Sequence, residues 1–268
     1  MLKVPMTGAL RRTARTSLLA VLLLLGQVLL LSAVAADEPR DGPRLPPFTA
    51  SYEAQAMGNT LNARITLNHE DVHTRMAMDA HVSGFLRVLG RFELNREALM
   101  NANNDMGLQL VTSRSREVTP RRERKVETRF DWDEDRAIGH VNNERFDLEV
   151  PPHTLDFLGS LYFMMQRLEA GDLTDKGDGE VVQTLERDRL RQYRFEYVGT
   201  ETITSPMGQI ETVRVVRKSQ DSDIELSAWF APALSHVPVR FDYEADGRVF
   251  ELKLTRLEWH DPIIDLTE

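Results

Sequence analysis

The fold of this chain is decided by residues 237–254, which read VPVRFDYEADGRVFELKL. Apolar side chains occupy alternate positions on both sides of Ala245-Asp246-Gly247, a tripeptide with the composition of a tight turn. Alternation with a period of two indicates a strand that buries one face. The stretch therefore predicts two antiparallel strands joined by a hairpin.

The same alternation recurs through most of the chain before this hairpin. It predicts strands over residues 48–56, 60–67, 72–82, 108–116, 122–132, 145–150, 193–197 and 224–230, whereas residues 91–100 are ambiguous. Pro206-Met207-Gly208 gives a second turn signal. We therefore expect a single, mainly antiparallel β domain over residues 48–262.

One helix interrupts these strands. After two prolines, apolar side chains recur at spacings of three and four, namely Leu155, Leu158, Leu161, Tyr162, Met165 and Leu168. This spacing predicts an amphipathic helix over residues 154–169, with Thr154 as its N-cap and Gly171 as its stop. A single helix among many strands predicts a curved antiparallel sheet or open β-barrel with the helix packed against it.

The first 35 residues have the pattern of a secretory signal peptide. Four basic residues precede the apolar run 18–31, and Ala33-Val34-Ala35 follows it, so cleavage is predicted after Ala35. The run is shorter than the roughly 18 to 20 residues that span a bilayer, so we expect no stable transmembrane anchor after cleavage; a retained anchor is the alternative. Residues 36–47 contain four prolines and predict a flexible tether.

Composition excludes several classes of function. The chain has 42 acidic and 33 basic residues, a net charge of −9, which disfavours nucleic acid as a partner. It has no cysteine, which excludes disulfides, cysteine nucleophiles and thiolate metal sites. No motif indicates a cofactor.

Three segments together are typical of one family: LDFLGSLY at 155–162, ITSPMGQIETV at 203–213, and AWFAP at 228–232 with VPVR at 237–240. With these segments the chain resembles the bacterial envelope family called domain of unknown function 3108, over about residues 48–259. The resemblance implies a periplasmic, mostly antiparallel β protein. It implies no established reaction and no catalytic residues.

Residues 69–73, HEDVH, match the HExxH pattern of zinc peptidases. In such enzymes a helix places both histidines on one face, where His69 and His73 would bind zinc and Glu70 would act as the base. On a strand, residues four apart lie roughly 13 Å from each other, too far to share a metal. Because the motif lies between two alternating runs, we favour a hairpin turn and keep the zinc site as the alternative.

A dense basic cluster lies between residues 114 and 129. Charges alternate in sign at every second residue over 121–129, which predicts a solvated outer face with cross-strand ion pairs. The functional alternative is a cationic rim of Arg121, Arg122 and Arg124 that binds phosphate or carboxylate groups of a lipid or glycan.

We therefore predict a non-enzymatic envelope protein that binds or carries an apolar or amphipathic ligand in the concavity of its sheet. The candidate lining residues are Phe157, Leu161, Met165, Trp229 and Phe230. Two alternatives remain: an envelope hydrolase, zinc-dependent or other, with Glu70, His69 and His73 as candidates, and a scaffold that contacts an envelope protein through a sheet edge. The predicted partners are thus a lipid, a glycan or an envelope protein.

Overall fold

The computed structural model describes residues 42–56, 58–70, 72–84, 90–101, 107–219, 222–245 and 248–260. The predicted signal peptide and the tether residues before 42 lie outside the described residues. The strands are β1 (Phe48–Ala56), β2 (Asn59–Glu70), β3 (His73–Gly84), β4 (Glu93–Asn101), β5 (Gln109–Thr119), β6 (Arg122–Asp131), β7 (Arg136–Val141), β8 (Glu144–Glu149), β9 (Gly179–Glu186), β10 (Arg189–Ser205), β11 (Gly208–Ser219), β12 (Ser222–Ala231), β13 (Val237–Ala245) and β14 (Arg248–Trp259). One α-helix, α1 (Phe157–Glu169), and a short 3-10 turn (Pro232–Leu234) are also described.

All fourteen described strands form one sheet, in the order β8-β7-β6-β5-β4-β3-β2-β1-β14-β13-β12-β11-β10-β9. The first and last strands pair antiparallel at its centre, with Phe48 opposite Trp259. The two edges, β8 and β9, are therefore consecutive in the chain, and the segment with α1 connects them. The sheet stays open, and strands account for 70% of the described residues, which confirms the predicted mainly β fold.

The sheet curves around α1. The helix contacts β3 and β4 in one half of the sheet and β9 in the other. Its buried side chains include Leu158, Tyr162, Met164 and Met165, so apolar groups point in more than one direction around its axis. The core therefore lies between α1 and the inner face of the sheet, as the sequence predicted.

The helix begins later than predicted, because Asp156 and not Thr154 is its N-cap. The carboxylate of Asp156 accepts hydrogen bonds from the backbone N–H of Gly159 at 2.7 Å and from the hydroxyl of Ser113 on β5 at 2.6 Å. The Thr154 hydroxyl instead donates to the carbonyl of Pro151 at 2.7 Å. Asp156 thus joins the helix start to the sheet.

The segment before α1 covers part of the β9 edge. Leu155 forms a parallel bridge with β9: its N–H donates to the carbonyl of Gln183 at 2.8 Å, and its carbonyl accepts from the N–H of Leu185 at 2.7 Å. These bonds satisfy backbone groups that an uncovered edge would present to another chain.

Residues 42–47 differ from the predicted flexible tether. Leu45 is only 1% exposed, and the carbonyl of Pro43 accepts from the side-chain amide of Gln166 at 3.1 Å. The carbonyl of Pro47 accepts from the N–H of His260 at 2.9 Å. Burial of a leucine side chain is worth about 1.5–3 kcal/mol, which favours a packed segment despite its prolines.

We expect Asp156→Ala to lower the free energy of unfolding by about 1–2 kcal/mol, because it removes the cap and leaves a buried N–H without its acceptor. Asp156→Asn keeps a capping oxygen and should cost less than half of that. Asp188→Ala, in the exposed turn before β10, is the matched control and should change stability by less than about 0.5 kcal/mol. Urea denaturation measures all three; equal losses for the alanine and asparagine variants of Asp156 would contradict the capping role.

Asp156 also predicts a pH dependence. Burial raises the pKa of this carboxyl, while its hydrogen bonds with Ser113 and Gly159 oppose the shift. Its contribution to stability is therefore full below the unfolded-state pKa of about 3.9 and is lost as the pH rises through the folded-state pKa. The unfolding free energy of the wild type minus that of Asp156→Asn should fall as the pH rises above about 4; a constant difference would exclude this titration.

Candidate functional site

A pocket lies between α1 and the inner face of β10–β13. The helix contributes Phe157, Ser160, Leu161 and Met164, and the sheet contributes Phe195, Val215, Arg217, Leu226, Ala228, Phe230 and Phe241. The space between these side chains is about 400 Å³ when the part that opens to solvent is included, and the enclosed cavity volume is about 30 Å³.

Three of the predicted lining residues, Phe157, Leu161 and Phe230, line this pocket. Met165 and Trp229 lie elsewhere. Met165 is fully buried in the core. Trp229 lies on the opposite face of the sheet, because neighbouring residues of a strand point to opposite sides.

On that outer face, Trp229 is packed between two arginines. The guanidinium carbons of Arg214 and Arg240 lie 5.0 and 4.5 Å from its ring centre, and its indole N–H donates to Glu201 at 2.8 Å. These contacts stabilise the outer surface.

Eight of the eleven lining residues were not predicted from the sequence, and two of them, Met164 and Arg217, show why. Met164 lies beside the main apolar stripe of the helix, so the stripe alone did not identify it. Arg217 follows Val213 and Val215 at the same period of two, which places a charged side chain at an inward position of β11. A charge at such a position is the signal that could have identified Arg217.

Elsewhere on the inner face, two glutamates form ion pairs with arginines. The carboxylate of Glu117 lies 3.5 Å from Arg122 and 3.2 Å from Arg124. The carboxylate of Glu186 lies 3.2 Å from Arg191. Both acids thus already have cationic partners.

Tyr193 adds a further contact to Glu186. Its hydroxyl donates to that carboxylate at 2.6 Å. Burial, and then the negative charge of Glu186, raise the pKa of Tyr193, so the phenol stays protonated at neutral pH.

The three arginines of the predicted cationic rim do not lie together on one surface. Arg121 lies in the exposed turn before β6. Arg122 and Arg124 are paired with Thr119 and Glu117, both buried, and therefore share the inner face with them. The outer face carries the predicted alternating charges, including an ion pair of 2.8 Å between Arg116 and Glu123.

Two inner-face arginines flank the pocket from different halves of the sheet. The guanidinium carbon of Arg96, on β4, lies 4.8 Å from the ring centre of Phe157. That of Arg217, on β11, lies 4.3 Å from the ring centre of Tyr193. Burial lowers the pKa of Arg96; the nearby charges of Glu186 and Asp156 oppose this shift, and that of Arg217 adds to it.

The HExxH motif lies in a hairpin. Glu70 ends β2 and pairs directly with His73, which begins β3, so these two side chains share one face and His69 lies on the other. The Nε2–H of His69 donates to the carbonyl of Leu45 at 2.8 Å, and Glu70 accepts from Arg75 at 2.7 Å. Within the described part of the chain, no three histidine or acidic side chains are arranged to hold a metal ion.

A family model that matches most of the domain assigns this chain to a family. The family model described as "protein of unknown function (DUF3108)" matches residues 48–254. This chain belongs to the DUF3108 family. The match confirms the resemblance carried by the three sequence segments.

Two solved structures are similar to this DUF3108 protein to different degrees. A β-barrel-like protein of domain of unknown function DUF1849 from Brucella abortus is similar, with a TM-score of 0.55 and 9% identity over 81% of this chain and 99% of that chain. A Bacteroides fragilis protein with a YmcC-like fold matches over 82% of this chain and 97% of its own, at 9% identity and a TM-score of 0.30. No curated protein matches the chain.

No helix among the described residues has the length and apolar character required to cross a bilayer. The longest described helix is α1, with 13 residues.

We expect His69→Ala and His73→Ala to differ in their effect on stability. His69 is half-buried with two hydrogen-bond contacts, so its loss should cost about 1–2 kcal/mol, whereas His73 on the outer face should cost less than about 0.5 kcal/mol. Neither variant should change the metal content measured by elemental analysis. Stoichiometric zinc that disappears in both variants would establish the zinc alternative.

Proposed function

We propose that this DUF3108 protein is exported and binds an apolar or amphipathic molecule in the pocket between α1 and β10–β13, without catalysis. Export is supported by the signal-peptide pattern of residues 1–35. The periplasm is the location that the family resemblance implies.

The observation that supports binding is the composition of the pocket. Nine of its eleven lining residues are apolar, and several are aromatic or methionine side chains that adapt to an apolar guest. Such a lining favours a hydrocarbon chain or ring system because transfer of apolar surface out of water is favourable. The two polar lining residues are Ser160 and Arg217, and Arg217 gives the pocket wall a positive charge.

Ser160 has a structural contact that accounts for its hydroxyl. It donates to the carbonyl of Asp156 at 2.7 Å, within the first turn of α1. Its other near neighbour is the hydroxyl of Thr184, at 3.4 Å. Neither neighbour is a base that would activate a serine nucleophile, so these contacts support a binding role over acyl transfer.

Filling the pocket should weaken binding. Ala228→Leu adds carbon atoms to the pocket wall, and exclusion of two methylene groups of a guest costs about 1.6 kcal/mol, or roughly tenfold in affinity. The neutral fluorescent probe 1-N-phenylnaphthylamine reports the change by titration. Ala233→Leu, the same substitution in the exposed turn after β12, is the matched control and should bind as the wild type does.

Native mass spectrometry of the exported protein, purified without detergent, tests the proposal directly. We expect a retained adduct of lipid size that dissociates on collisional activation. A bare protein that also fails to bind phenylnaphthylamine would refute the proposed function. A stoichiometric zinc adduct would favour the hydrolase instead.

A further inference from the structure

Resting on the proposed function, we propose that the ligand is an anionic amphiphile whose carboxylate or phosphate group binds between Arg96 and Arg217, while its apolar chain occupies the pocket. This head-group site differs from the cationic rim of Arg121, Arg122 and Arg124 that the sequence predicted. It rests on where the interior charges lie and on which of them already have partners.

Arg96 contacts an aromatic ring of the pocket lining. Its guanidinium packs over Phe157, the first residue of α1 and part of the pocket lining. The Nε atom of Arg96 is buried and has no hydrogen-bond partner among the described residues. A ring face attracts a cation but does not satisfy its N–H donors.

Arg217 approaches from the opposite half of the sheet. It lines the pocket directly, between Phe195 on β10 and Leu226 on β12 in the strand pairing. Its guanidinium packs over the ring of Tyr193. Among the described residues, neither Arg217 nor Arg96 has a carboxylate within ion-pair distance.

The acids near these two arginines are already engaged. Glu117 holds Arg122 and Arg124, and Glu186 holds Arg191 and the hydroxyl of Tyr193. Asp156 accepts from Ser113 and from the start of α1. The positive charges of Arg96 and Arg217 are thus left in excess inside a chain whose net charge is −9.

Two partly buried cations with no carboxylate in ion-pair contact are costly, because burial removes hydration and each charge repels the other. A bound anion would supply the missing charge. Carboxylate and phosphate oxygens match the planar guanidinium fork and accept two parallel hydrogen bonds from it. Since Arg217 also lines the apolar pocket, an anion at this site would place an attached hydrocarbon chain directly into that pocket.

The test compares probes that share one chain and differ in their head group. Dodecyl phosphate, 1-dodecanol and inorganic phosphate are titrated separately into the exported protein below micelle-forming concentrations, by calorimetry. We expect dodecyl phosphate to bind at least about tenfold more tightly than dodecanol, as hydrogen bonds to charged groups imply. Inorganic phosphate should bind more weakly than dodecyl phosphate, because it lacks the chain.

Arg96→Gln/Arg217→Gln should remove this preference: affinity for dodecyl phosphate should fall by at least about tenfold, and affinity for dodecanol should stay unchanged. Arg129→Gln/Arg256→Gln removes the same charge from two exposed outer arginines and should bind as the wild type does. Arg96→Lys/Arg217→Lys keeps the charge without the fork and should show an intermediate loss. Circular dichroism confirms that each variant is folded.

The outcomes separate the inference from the proposed function. Equal binding of dodecyl phosphate and dodecanol to the wild type would overturn the anionic head group and leave the apolar pocket as the proposed site. Inorganic phosphate binding as tightly as dodecyl phosphate would show a site for a free anion and overturn the amphiphile. Failure of both chain-bearing probes to bind would refute the proposed function and this inference together.

Discussion

Antiparallel pairing of β1 with β14 is the contact on which the architecture depends. It joins the two ends of the domain at the centre of the sheet, so that the edges are two strands, β8 and β9, that follow each other in the chain. The segment between them must therefore pass from one edge to the other. Because this segment contains α1, the helix is held against the inner face and contacts both halves of the sheet.

Contacts at the start of α1 attach the segment between β8 and β9 to the sheet. Leu155 adds a parallel bridge to β9, and Asp156 binds the backbone of α1 and the hydroxyl of Ser113 on β5. One short segment thus contacts strands from both halves of the sheet. The space that remains between α1 and β10–β13 is the pocket, so the same chain connection that closes the core also forms the candidate site.

The inner face of the sheet combines apolar packing with buried charge. Sheet interiors normally exclude unpaired charges because desolvation is costly, and Glu117 and Glu186 follow this rule by pairing with arginines. Arg96 and Arg217 do not: Arg96 packs over Phe157 of the pocket lining, and Arg217 lines the pocket itself. Functional sites often keep groups that lower stability. The unpaired charges of Arg96 and Arg217 have such a cost, and the proposed anionic ligand would offset it.

The sequence by itself determined the mainly β class, most strand positions, the single helix, the family and the hairpin at the HExxH motif, because the periods of 2 and 3.6 residues are local properties of the chain. It also determined that Trp229 and Phe230 must lie on opposite faces of one strand, although the lining prediction had included both. Only the tertiary structure decided which face is the inner one, that Asp156 caps the helix and accepts from Ser113, and that Leu45 is packed. It alone placed Arg96 over Phe157, a lining residue of the pocket that Arg217 also lines, since the strands of the two arginines lie in different halves of the sheet.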